Sequence, residues 1–168
     1  MRSLVSMFLF VILIVTKVAG QETRPLTTFI LVRHAEKDND GTSDPELSSM
    51  GKERAKKLVS LFKDTPIDAI FSTNYKRTLS TAEPLVNAKG VNVVVYQPKH
   101  GATIDEMLNK YGGKTIVLVG HSNTIPWTAN YLLGKEQYND FADEDYDNIL
   151  IVTVCEKGKT ATSVWLNY

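Results

Sequence analysis

The chain has one cysteine, three histidines and no excess charge of either sign. A single thiol, Cys155, can neither close an internal disulfide nor build a thiolate metal site by itself. His34, His100 and His121 are the whole histidine supply, which leaves little for a histidine-based metal cluster. Nineteen Lys and Arg offset nineteen Asp and Glu, so no basic field directs the protein to nucleic acid. No internal repeat or low-complexity tract is present. What is there is 168 residues, 43% of them apolar and 23% charged. That is the balance of a soluble globular chain, long enough for one domain with its own core.

Met1–Gly20 reads as an export signal. Arg2 opens it, the apolar run Leu4–Thr16 follows, and Val18-Ala19-Gly20 places small residues before Gln21. A helix over that run rises roughly 20 Å, short of the ~30 Å of a bilayer core. The expectation is a cleaved signal peptide over 1–20, a domain over 21–168, and a periplasmic or secreted protein that meets the membrane only through this segment. An uncleaved anchor is the alternative. One thiol suits an exported protein that does not depend on disulfides.

Along the remaining chain, short β-branched runs alternate with helical periodicity. Thr27–Val32, Ile67–Phe71, Val91–Tyr96 and Thr115–Val119 read as buried strands. Met50–Lys63 is a helix, with Ala55, Leu58, Val59 and Phe62 on one face. Tyr75–Ala88 is helical, with Pro84 marking a kink or a restart. Thr103 and Glu106 have the spacing of a capping box for a short helix to Lys110. Asn123-Thr124-Ile125-Pro126 reads as the start of a helix that Gly134 ends. Ile149–Cys155 and Ala161–Leu166 form a hairpin around Gly158. The order predicts an α/β layered domain: a mostly parallel central sheet flanked by helices, with a C-terminal hairpin.

In such sheets, ligands sit at the carboxyl ends of the strands. His34 follows the first strand and His121 the fourth, and Arg33 stands beside His34. Arg77 follows the second strand, near the start of the next helix. If these strands are neighbours, two guanidiniums and two imidazoles converge on one cavity. That set suits a multiply charged oxyanion, and the helix starting near Asn123 adds N–H groups and its positive end. The implied ligand is a phosphoryl group.

Val32-Arg33-His34-Ala35-Glu36, Leu47-Ser-Ser-Met-Gly51-Lys-Glu-Arg54-Ala55, Ser72…Arg77-Thr78…Thr81-Ala82 and Gly120-His121-Ser122-Asn123-Thr124 occur in that order. Together they resemble the histidine phosphatase superfamily, the phosphoglycerate mutase-like proteins, in its small single-domain branch. The resemblance implies a metal-independent phosphomonoester hydrolase that calls for no cofactor and acts on a small phosphorylated substrate. His34 would attack phosphorus as a neutral imidazole, its other ring nitrogen held by a backbone carbonyl. Arg33, Arg77 and His121 would bind the non-bridging oxygens. Proximity to the arginines would lower both histidine pKa values in the empty site.

The chain departs from the family in three places. Ala35 replaces the usual glycine after the first histidine, and Ser122 stands where the acid-phosphatase branch has aspartate. Gln97–Gly101 lacks the glutamate that protonates the leaving group in mutase-like members. Glu36 is the first candidate for that acid, with a plain ion pair to Lys37 or Arg54 as the competing role. Asp143 and Asp147 are further candidates, while Glu106 is better explained by its capping box.

Other patterns fail on their own terms. Gly113-Lys114-Thr115 lacks the first glycine of a P-loop, Leu108 standing there. Asp143-Glu-Asp145-Tyr-Asp147 lacks the glycine and the terminal glutamate of a calcium loop, Asn148 and Val154 standing instead. Ser122 lacks a nucleophile elbow. Two rival functions stay open. One is a metal-dependent hydrolase built on His34, His121 and acidic ligands. The other is an exported phosphate-binding module of the same fold with little or no turnover.

Overall fold

A computed structural model describes residues 25–168, so Met1–Gly20, read above as an export signal, lies outside the described residues. The elements follow in chain order: β1 (Thr27–Arg33), α1 (Ser49–Leu61), β2 (Ala69–Ser72), α2 (Lys76–Lys89), β3 (Val93–Val95), α3 (Gly101–Lys110), β4 (Thr115–Gly120), α4 (Thr124–Leu133), β5 (Asn148–Glu156) and β6 (Thr160–Asn167). The six strands form one sheet in the order β3-β2-β4-β1-β5-β6. The first four are mutually parallel. β5 runs antiparallel to β1, and β6 antiparallel to β5. This is the α/β layered domain with a C-terminal hairpin that the sequence predicts.

Alternation along the central strands divides the core into two layers. Phe29, Leu31, Ile116 and Leu118 pack on Ile104, Met107, Ile125, Ala129 and Leu132 of α3 and α4. Ile30, Val32, Val117 and Val119 pack on Leu58, Phe62, Ala82 and Leu85 of or beside α1 and α2. Burial on both faces is why these strands read as unbroken apolar runs rather than as alternating patterns. Edge strand β3 behaves differently. Only Val93–Val95 pair as a strand, and all three are exposed.

Three local expectations change. Pro84 neither breaks nor restarts its helix; α2 runs through it as one element, its buried face of Thr78, Thr81, Ala82 and Leu85 held to the sheet. α3 begins at Gly101, so Thr103 lies inside the first turn and the capping box with Glu106 does not form. Thr103 Oγ1 instead pairs with Nδ1 of exposed His100 at 3.0 Å. Asn123 makes no side-chain cap on α4. The hydroxyl of Thr124 takes the neighbouring N–H, accepting from His121 at 2.8 Å.

Two glycines are required by contact. A Cβ on Gly51 would lie 2.1 Å from the Glu36 carbonyl oxygen, because the first turn of α1 rests on the β1 loop. Gly134 ends α4 at φ 70°, and a Cβ there would meet Gly158 of the hairpin at 2.4 Å.

Candidate active site

The ends of β1, β2 and β4 lie side by side, because β4 pairs with both β1 and β2. That adjacency brings Arg33, His34, Arg77 and His121 to one cavity of about 990 Å³. The first turn of α4 contributes Ser122, Asn123 and Thr124 to the same walls. The convergence that the sequence makes conditional on strand order is therefore met. Cations at fixed positions beside a helix N-terminus form a surface complementary to an oxyanion.

His34 is 5% exposed, and its Nδ1 lies 2.8 Å from the Ala35 carbonyl oxygen. A carbonyl only accepts, so Nδ1 carries the proton and donates, and Nε2 keeps its lone pair. The Ala35 peptide is itself held, its N–H donating to Thr81 Oγ1 at 3.0 Å. Thr81 donates in turn to the Arg77 carbonyl at 2.7 Å. One hydroxyl thus ties the His34–Ala35 loop to the helix that carries Arg77.

The His121 ring stands at 5.3 Å and 70° to the His34 ring, and at 5.1 Å from Tyr75. Its Nε2 lies 2.9 Å from Thr73 Oγ1. Thr78 Oγ1 faces the carbonyls of Thr73 and Tyr75 at 2.8 and 2.9 Å, so its hydrogen goes to them. The Thr73 hydrogen then goes to Thr78 Oγ1 at 3.0 Å. Nε2 of His121 is left as the donor to Thr73.

Burial is the first cause lowering both histidines. His34 falls to about 3, with His121, Arg77 and Arg33 adding to the effect against the Ala35 hydrogen bond. His121 falls to about 4, with Arg77 and Arg33 behind burial. Both rings are neutral in the empty site at neutral pH. The direction is the one predicted, but desolvation outweighs the arginines that sequence reasoning invoked.

Arg33 is 3% exposed and is gripped by the loop between α4 and β5. Its Nη1 donates to the carbonyls of Ala142 and Asp145, and its Nη2 to that of Asp143 at 2.8 Å. Tyr146 covers the guanidinium at 4.3 Å. Arg77 lies over the Tyr75 ring at 4.4 Å and makes a long contact, 3.4 Å, to Asp44.

Glu36 does not line the cavity. Its carboxylate receives Arg54 Nε at 2.8 and 2.9 Å and Nη2 at 2.6 Å. Hydrogen bonds to Arg54 lower its pKa against the opposing effect of burial, so it is ionised and fully engaged. The ion pair considered as its competing role is the arrangement present. Asp143 lines the cavity together with Asp140 and Glu144. Asp147 does not; its Oδ1 accepts from Asn167 at 2.9 Å.

Sequence reasoning missed several wall residues. Tyr75 and Tyr146 cap the two arginines, and Lys37 and Lys99 add cations to the lining. Tyr75 was detectable as an aromatic two residues from Arg77. Tyr146 carries no such signal, since it meets Arg33 across most of the chain. Among the described residues, no three of His, Cys, Asp and Glu gather as a metal-ligand set.

A profile of the histidine phosphatase superfamily (branch 1) matches residues 29–99. Phosphoserine phosphatase 1 of Hydrogenobacter thermophilus is 33% identical over 100 residues, 51% of this chain and 47% of that relative. The match thus spans about half the relative's length. Among solved structures, the protein histidine phosphatase SixA complexed with tungstate superposes with a TM-score of 0.66 at 13% identity, covering 83% of this chain and 96% of that one. A mycobacterial glucosyl-3-phosphoglycerate phosphatase gives 0.64 at 14% identity, covering 86% and 99%. At those identities the structural likeness establishes the fold. Profile and relative match this chain to the histidine phosphatase superfamily over part of its length, and the solved structures share its fold.

Proposed function

We propose that the protein is a metal-independent phosphomonoesterase working through a phosphohistidine on His34. The observation that carries the reading is the state of His34 in its setting. Its Nδ1 donates to the Ala35 carbonyl, its Nε2 lone pair is free, and Arg33, Arg77 and His121 share its cavity. Nε2 attacks phosphorus as the ester oxygen leaves opposite. The arginines and His121 hold the non-bridging oxygens, whose charge the transition state redistributes. A bound dianion raises the His121 pKa, so that ring enters the transition state as a donor. Asp143 and Glu144 are the carboxyls suited to protonate the leaving oxygen and then to take a proton from water. Water next cleaves the N–P bond, releasing phosphate and restoring neutral His34.

Phosphoserine, the substrate in the relative's name, is a phosphomonoester of the size the cavity admits, and small phosphomonoesters are the substrate class proposed. Export through Met1–Gly20 is part of the same proposal, and N-terminal sequencing of the protein from its host tests it. A first residue near Gln21 supports it. For the reaction, the test is hydrolysis of an aryl phosphate with a chelator present. Turnover indifferent to chelator is expected. Loss of activity restored by a divalent metal would favour the metal-dependent rival. Phosphate binding without turnover would leave a binding module.

A further inference from the structure

The five N–H groups of Arg33 are not equally free. Both hydrogens of Nη1 are committed, to Ala142 and Asp145, and one of Nη2 is committed to Asp143. That leaves one Nη2–H and the Nε–H, and Nε is buried with no partner. A buried, charged donor without a partner is costly unless a ligand takes it. The loop carbonyls hold the Arg33 guanidinium in place at the cavity wall.

The Asp145 carbonyl accepts a second donor. Asn148, 1% exposed at the start of β5, donates to it from Nδ2 at 2.8 Å. The orientation of that amide is forced. Asn148 Oδ1 accepts the indole N–H of Trp165 at 2.8 Å, and an indole nitrogen can only donate. Asn167 approaches the same Oδ1 at 3.4 Å. Trp165 also packs on Phe141 of the cavity wall, ring centres 5.5 Å apart. A hydrogen-bonded line thus runs inward from edge strand β6 through Trp165, Asn148 and the Asp145 carbonyl to Arg33.

We infer that Asn148 is a positioning residue for phosphoryl binding: with Trp165 it fixes the Asp145 carbonyl, and so holds the Arg33 guanidinium where it lines the cavity. The inference rests on the phosphatase reading of the cavity. Asn148 touches neither substrate nor reacting atoms; it acts through Arg33.

The test measures kcat/KM for an aryl phosphate and the inhibition constant of inorganic phosphate. Asn148→Asp is nearly isosteric and loses the donor to Asp145. It is measured with Arg33 intact and in an Arg33→Lys background, which keeps a charge but has no fork. With Arg33 intact, kcat/KM is expected to fall about 10- to 100-fold, the scale of a misplaced binding group, with weaker phosphate inhibition. In the Arg33→Lys background the same change is expected to cost almost nothing further, because both substitutions remove one interaction. Trp165→Phe keeps the ring and loses the N–H. It should give a smaller loss in the same direction, and it supplies the comparison if Asn148→Asp does not fold. Equal losses in the two backgrounds, or no change with Arg33 intact, overturn the inference. If the unmodified protein hydrolyses no aryl phosphate, the phosphatase reading fails by itself. The dissociation constant of inorganic phosphate, measured by calorimetry on the same variants, then decides the positioning role under the same two criteria.

Discussion

Nδ1 of His34 donates to the carbonyl of the next residue, Ala35, at 2.8 Å. So short a loop would not hold that carbonyl by itself. The Ala35 N–H is fixed by Thr81 Oγ1 on α2, and the following Glu36 carbonyl accepts from Ser48 N at 2.9 Å. The tautomer of His34 is thus set by two helices that pack on the same face of the sheet.

Thr81→Val tests that arrangement. It leaves the buried Ala35 N–H without an acceptor, a loss on the order of 1–3 kcal/mol in unfolding free energy. It also frees the loop to rotate, so kcat is expected to fall with little change in KM. Denaturant titration together with steady-state kinetics checks both parts.

Both histidines have folded-state pKa values below the ordinary 6.5, at about 3 and about 4. Between those values and 6.5 the unfolded chain binds more protons than the folded one. Stability is therefore expected to fall as pH drops from about 6.5 toward 4, and to be independent of these two groups above about 7. Urea midpoints measured from pH 7.5 to 4.5 check this. A His34→Gln, His121→Gln double variant should show a shallower fall.

Arg77→Ala is expected to remove about 2–4 kcal/mol of transition-state stabilisation, the range for a preorganised donor facing developing charge. Among the described residues its one ion pair is the long one to Asp44, so the unfolding free energy should change little. The ratio of kcat/KM values, set beside a thermal melt, separates the two effects.

Glu36→Gln should have the opposite profile. The Arg54 pair is mostly buried, at 18% and 9% side-chain exposure, and the substitution leaves the guanidinium without its counter-charge. A stability loss of roughly 1–3 kcal/mol is expected, with activity at neutral pH within a few-fold of the parent. A collapse of kcat with unchanged stability would return Glu36 to the role of proton donor.

The sheet was legible because β1, β2 and β4 are buried on both faces and flanked by turn residues. Arg33, His34 and His121 were legible because each lies at or just past the end of such a strand, and Arg77 because it opens the helix that follows one. What could not be read depends on contacts distant in sequence. Whether Glu36 faces the cavity is decided by Arg54, which α1 brings over the β1 loop through the close approach at Gly51. The grip on Arg33 by residues 142–145 spans more than one hundred positions, and no periodicity records it. The start of α3 was misplaced because the Thr103–Glu106 spacing is a local signal. Gly101 packing against the Tyr131 hydroxyl is a tertiary one, and it prevailed.

Rapid-quench labelling with a radioactive aryl phosphate tests the central claim most directly. The account predicts an acid-labile, base-stable phosphate at stoichiometric level on the peptide containing His34, absent together with turnover in His34→Ala. Turnover that persists in His34→Ala would contradict it.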